Sequence, residues 1–231
     1  MLTDNRNLPD AVRQRLADAD IDLDQRHSGF DIDYKGRTLE LRATPRRIEV
    51  RGIAEGAPEI RGYATVYDAP YDVFGGPPGG WTEIVARGAA DKSIRESDDV
   101  YLFFDHDGLP LAATKANTLA LESDRIGLYS EARVDPADPL SMAIVRRLER
   151  RELDAMSFAF RVTRQRWEDD EGREADPMHA PVRRIQEVRL FDVSVVSFPA
   201  NPATYVAARG VGGLSIAEAR AQWDALRRPA A

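Results

Sequence analysis

The 231-residue sequence predicts an α+β fold, a mostly antiparallel β core with helices at its periphery. Three observations predict it. Period-2 alternation recurs in short segments bounded by turn residues, the signal of strands with one buried face. Several of these segments are close enough along the chain to pair as hairpins. Helical spacing, in contrast, marks only a few short stretches, too few to provide the crossovers of a doubly wound parallel sheet.

The elements follow in order. Leu8, Ala11, Val12, Leu16 and Ala19 repeat at helical spacing behind Asn7, a cap residue, so a short amphipathic helix is expected there. From Phe30 to Val50 the period becomes two, with Ile32/Tyr34 and Leu39/Leu41 flanking a Lys35-Gly36 turn. The run Ala54 to Pro58 marks a boundary, and Ile60 to Tyr67 opens the main domain as a strand. A Gly/Pro loop over Gly75 to Gly80 precedes a strand over Trp81 to Val85 and a short helix over Ala89 to Glu96. A strongly apolar strand then ends at His106, and Leu119 to Leu121 with Ile126 to Val134 read as an antiparallel pair.

Asp138-Pro139 places a cap residue before proline at the first helical position, with Leu140, Ile144, Val145 and Leu148 at helical spacing behind it. The chain continues into a strand carrying Ser157, crosses the acidic loop Glu168 to Glu171, and returns as a long strand from Val182 to Val196. A last helix is expected over Ile216 to Arg227. The organisation expected is an N-terminal arm (1–55), a main domain (56–209) and a helical tail (210–231).

Composition limits the chemistry. The chain has no cysteine, which excludes disulfides, a thiol nucleophile and cysteine-held zinc. A net charge of −7 argues against duplex binding as a global property, so no nucleic-acid partner is expected. Arg146, Arg147, Arg150 and Arg151 alternate with glutamates and read as a solvated helix face. No apolar run approaches the ~20 residues that cross a bilayer, and the first residues are too polar for a secretory signal, so the expected setting is cytoplasmic, without a membrane partner.

Three residues stand out as candidates for catalysis. A serine hydroxyl is a weak nucleophile until an imidazole takes its proton, and the imidazole must be held in one tautomer by an acceptor. Alternation puts Ser157 on a face with Ala155 and Ala159, where neighbours no larger than alanine leave room for a carbonyl carbon and a base. Met156, Phe158 and Phe160 take the opposite face. Asp192 and Ser194 likewise alternate with Phe191, Val193 and Val195. Of the three histidines, His27 and His179 lie in polar stretches, which leaves His106 as the candidate base. Each residue also has a plain structural role open to it: Ser157 as a small residue on a packed face, His106 as a hydrogen-bonded strand end, Asp192 as a partner for Arg161 or Arg189. A metal site at Asp105, His106 and Asp107 is disfavoured, because adjacent strand residues point to opposite faces. No cofactor is expected.

The order of Gly62-Tyr63-Ala64, Glu83-Ile84 with Gly88-Ala89, Phe104-Asp105-His106-Asp107, Gly127-Leu128, Met156-Ser157-Phe158-Ala159-Phe160 and Val193-Ser194-Val195-Val196 followed by Pro199-Ala200-Asn201-Pro202 resembles the HK97-type prohead (capsid maturation) serine proteases of tailed bacteriophages. The likeness covers roughly residues 60–208. It implies a serine endopeptidase with a small β-barrel wrapped by helices, similar to the herpesvirus assembly proteases. It further implies that His106, Ser157 and Asp192 are the catalytic residues, with Asp192 where the family commonly has Glu, and Ala90 where it often has Phe. The partners implied are the scaffolding portion of the major capsid protein and the chain itself as substrates, with the portal as a further candidate, inside a procapsid in the bacterial host. Self-association is a further expectation. The rival reading is a non-catalytic capsid-assembly factor of the same fold.

Overall fold

The computed structural model describes residues 31–197, apart from 35–36, 45–47, 52–57, 74–75, 79 and 97–98. The helices expected near residues 8–19 and 216–227 lie outside the described residues. Within them, twelve strands and two helices alternate as β1 (Asp31–Tyr34), β2 (Arg37–Thr44), β3 (Glu49–Arg51), β4 (Glu59–Val66), β5 (Tyr71–Val73), β6 (Trp81–Val85), α1 (Asp91–Arg95), β7 (Tyr101–Phe104), β8 (Asp107–Ala113), β9 (Leu119–Ser123), β10 (Gly127–Arg133), α2 (Pro139–Glu149), β11 (Ala155–Glu168) and β12 (Val182–Val196).

The helix α2 begins as its sequence dictates. Asp138 stays extended and its carboxylate accepts the amides of Leu140 and Ser141, which frees Pro139 to occupy a position where no donor is needed. Its inward stripe is Ile144, Val145 and Leu148. The long strands β11 and β12 pair antiparallel over nearly their whole length, from Ala155↔Val196 to Glu168↔Val182. On its other side β11 carries β2, with Ser157 opposite Ala43. The free side of β12 is shared by two short parallel strands, β6 along Val182 to Ile185 and β7 along Asp192 to Val195. The helix α1 sits between them, where Ser93 Oγ accepts the Leu190 amide at 2.9 Å.

The expected barrel is corrected by this pairing. The first sheet runs β1-β2-β11-β12-β6-β5 with β7 and β8 attached to β12, and the second runs β3-β4-β10-β9. Among the described residues no ladder joins the outer strands of either sheet, so both are open, and the pairing is mixed rather than wholly antiparallel. The physical reason lies in where the apolar faces go. Ile60, Ala64, Leu128 and Ala132 of the second sheet share one core with Met156, Phe158, Val193 and Val195 of the first, so each sheet buries its face against the other without closing on itself. A Cβ on Gly62 would stand 2.7 Å from Met156 Sδ, so β4 approaches β11 so closely that any side chain there would have to displace Met156.

Candidate functional site

The site begins with strand alternation. Register places Ser157 opposite Ser194 and Ala159 opposite Asp192, so these four residues occupy one face of the β11–β12 pair while Met156, Phe158, Val193 and Val195 enter the core on the other. Ser157 is only 2% exposed. The third candidate arrives from β7, which lies parallel to the end of β12.

His106 does not end a strand. The strand stops at Phe104, pairs there with Asp107, and the chain reverses through Asp105 (φ 49°) and His106 (φ 58°) into β8. Two successive left-handed residues are what a tight primed hairpin turn needs, and Asp and His tolerate that region better than most side chains. The turn is tied down by Asp105. Its amide donates to the Val195 carbonyl at 2.9 Å, and its carboxylate accepts the Ser197 amide at 2.7 Å and the Ser197 hydroxyl at 2.8 Å.

The ring of His106 thereby comes between the other two candidates. Nδ1 lies 2.6 Å from Asp192 Oδ1, and Nε2 lies 2.7 Å from Ser157 Oγ. A carboxylate facing Nδ1 accepts, so Nδ1 carries the hydrogen and Nε2 turns its lone pair to the serine. Ser194 completes the cluster: its hydroxyl donates to Asp192 Oδ1 at 3.0 Å and its oxygen lies 3.1 Å from His106 Nδ1. The Ser157 hydroxyl has a second acceptor, the main-chain carbonyl of Arg42 at 3.0 Å. Such an arrangement can pass a proton from an alcohol to an imidazole whose opposite edge is neutralised by a carboxylate, in a setting largely shielded from water.

Two residues escaped the sequence reading of this site. Ser194 was legible only as a face-mate of Asp192, and its signal is the two-residue spacing. Nothing in the sequence marks Asp105 as the anchor of the turn; its carboxylate is turned to Ser197 rather than toward a shared metal position, and the Asp107 carboxylate accepts the neighbouring Gly108 amide at 2.7 Å.

The core face of the same strands holds a group of charges. Arg42 Nε donates to Glu83 Oε1 at 2.5 Å and its Nη2 to Glu40 Oε2 at 2.8 Å, while Arg183 Nη1 reaches Glu40 Oε2 at 2.6 Å and Glu83 Oε2 at 2.9 Å. Burial would push the Glu83 carboxyl up, but the Arg42 and Arg183 guanidiniums override it and hold the group down at about 2. Burial and the Glu83 charge raise the Tyr71 phenol well above its ordinary value, so it remains a donor to Glu83. Two positive and two negative side chains cancel, which is how these charges remain out of water.

The model of the caudovirus prohead serine protease family matches residues 46–214. No curated protein and no solved structure matches the chain.

Proposed function

We propose that Ser157, His106 and Asp192 carry the peptidase activity of this chain, which belongs to the caudovirus prohead serine protease family. Membership makes it a serine peptidase with a role in phage capsid assembly, in an intracellular, procapsid context. The observation that carries the residue assignment is the continuous hydrogen-bonded line from Asp192 through His106 to Ser157.

In this reading Ser157 Oγ attacks the scissile carbonyl carbon as its proton moves to His106 Nε2. Asp192 holds the imidazole in the productive tautomer and offsets the positive charge that the ring acquires. Collapse of the tetrahedral intermediate passes the Nε2 proton to the departing amine and leaves an ester on Ser157. Water, losing a proton to Nε2, then attacks that ester, and the ring returns the proton to Ser157 as the acid product leaves. Backbone amides supply the oxyanion contacts, each worth ~3 to 4 kcal/mol in hydrolases of this type.

The substrates proposed are the scaffolding portion of the major capsid protein and the chain itself, with the portal as a further candidate, inside the procapsid of an infected bacterium. The experiment is co-expression of the capsid protein with the wild-type chain or with Ser157→Ala, read by intact mass. Site-specific shortening of the capsid protein and of the wild-type chain, both abolished by Ser157→Ala, is the expected result. A capsid protein of the same mass in both co-expressions, beside a wild-type chain that is not shortened, would sink the assignment and favour an assembly factor without catalysis.

A further inference from the structure

The buried charge cluster sits on the opposite side of the sheet from Ser157, yet one residue belongs to both faces. Arg42 directs its guanidinium into the core, where it binds Glu83 through Nε at 2.5 Å and through Nη2 at 3.1 Å, and Glu40 at 2.8 Å. Its own carbonyl accepts the Ser157 hydroxyl at 3.0 Å. Glu40 and Glu83 are in turn gripped by Arg183, which also donates to Gln165 Oε1 at 2.7 Å. Strands β2, β6, β11 and β12 are thus joined by side chains, of which Glu40, Arg42, Glu83 and Arg183 are at or near zero exposure and Gln165 is half-buried.

From this we infer that Arg42 is a positioning residue for the nucleophile: its guanidinium, locked among Glu40, Glu83 and Arg183, fixes the β2 backbone so that the Arg42 carbonyl sets the rotamer of Ser157. The inference rests on Ser157 being the nucleophile. A hydroxyl on a β-strand has three staggered positions, and only one points at Nε2. An acceptor placed beside Oγ restricts the side chain to positions from which both the carbonyl and the imidazole are within reach. The same carbonyl serves a second state. When His106 is protonated its Nε2–H donates to Oγ, and the hydroxyl hydrogen, displaced from the ring, passes to the Arg42 carbonyl. The serine therefore keeps its orientation whether the ring is neutral or has taken a proton from solvent.

A guanidinium is needed because its fork addresses two carboxylates from one plane, which an ammonium does not. Arg42→Lys keeps the charge and the neutrality of the cluster but releases that fork, so it loosens β2 without stranding a buried carboxylate. The test compares wild type, Arg42→Lys and Ser157→Ala well below each melting temperature, with steady-state kinetics on a peptide substrate and the rate of Ser157 labelling by a fluorophosphonate. The expected outcome is a kcat about ten- to hundredfold lower for Arg42→Lys with KM within about twofold, and labelling slowed in parallel. Unchanged kcat and labelling in a folded Arg42→Lys protein would overturn the positioning role while leaving the nucleophile assignment intact. Activity surviving in Ser157→Ala would instead overturn the underlying assignment. Should Arg42→Lys not fold, Glu40→Gln removes one anchor while Glu83 still pairs the guanidinium; a kcat loss of several-fold supports the inference and an unaltered kcat overturns it.

Discussion

Nδ1 of His106 lies 2.6 Å from Oδ1 of Asp192 across a separation of 86 residues. The contact is made by two secondary-structure choices, a two-residue reversal after β7 and the parallel seating of β7 on β12. A carboxylate in that position selects the tautomer, and an amide does not. Asp192→Asn is therefore expected to lower kcat by about 10³- to 10⁴-fold at neutral pH with little change in folding stability. Kinetics beside a thermal melt decide it, and a variant with near wild-type turnover would remove Asp192 from the mechanism.

Ser194 is expected to act through Asp192. Its hydroxyl donates to the same oxygen that His106 uses, so its loss leaves the carboxylate free to rotate away from the ring. Ser194→Ala should reduce kcat by about tenfold with KM unchanged, and Ser194→Thr, which restores the hydroxyl, should recover part of the loss. Equal kcat in Ser194→Ala and wild type would show that the other contacts suffice to hold Asp192.

The reversal at residues 105 and 106 depends on Asp105. Removing its carboxylate breaks both bonds to Ser197 and leaves two non-glycine residues in the left-handed region with less to hold them there. Asp105→Ala should destabilise the protein by about 1 to 3 kcal/mol and reduce activity more than that loss explains, because His106 is displaced. Asp105→Asn, which tolerates the backbone and keeps one acceptor, should lie between. Denaturant melts paired with kinetics provide the test, and an Asp105→Ala protein with wild-type stability would exclude the anchor.

Stability should fall at low pH through Glu83. Its folded-state value is depressed from the ordinary 4.5 to about 2, so the unfolded chain takes up the proton first. The stabilisation is fully present above about pH 4.5 and is lost as pH falls toward 2. Glu83→Gln should cost about 3 to 5 kcal/mol at neutral pH by leaving the guanidiniums underneutralised. The gap between variant and wild type should narrow as the medium is acidified from pH 5 toward pH 2. Urea midpoints across that range measure it, and a constant gap would mean that Glu83 does not titrate with unfolding.

The sequence discloses some of this architecture and withholds the rest for identifiable reasons. Alternation alone placed Ser157 and Asp192 on the face away from the core and marked Val182 to Val196 as one strand, because a buried apolar face imposes its period locally. The Asp138-Pro139 helix start was legible for the same local reason. Strand β8 was not, since Asp107, Gly108, Leu109 and Pro110 are all exposed and carry no alternation. Nor was the turn, because an apolar run leading to a histidine looks like a strand up to its last residue. Glu40 and Arg42 alternate with Leu39 and Leu41, and charged residues at such positions carry no local sign of burial. Their burial follows only once Glu83 and Arg183, distant along the chain, arrive to cancel them. The open sheets lay beyond local pattern altogether, since closure concerns which outer strands meet.

The segment matched by the family begins at residue 46, whereas β2 ends at Thr44. Trimming the polypeptide to the recognised stretch would strip one flank from the strand bearing Ser157 and remove Glu40 and Arg42 from the buried cluster, leaving Glu83 and Arg183 to each other and to Tyr71 and Gln165. A minimal enzyme must therefore start upstream of the profile's edge, at β2 or before it.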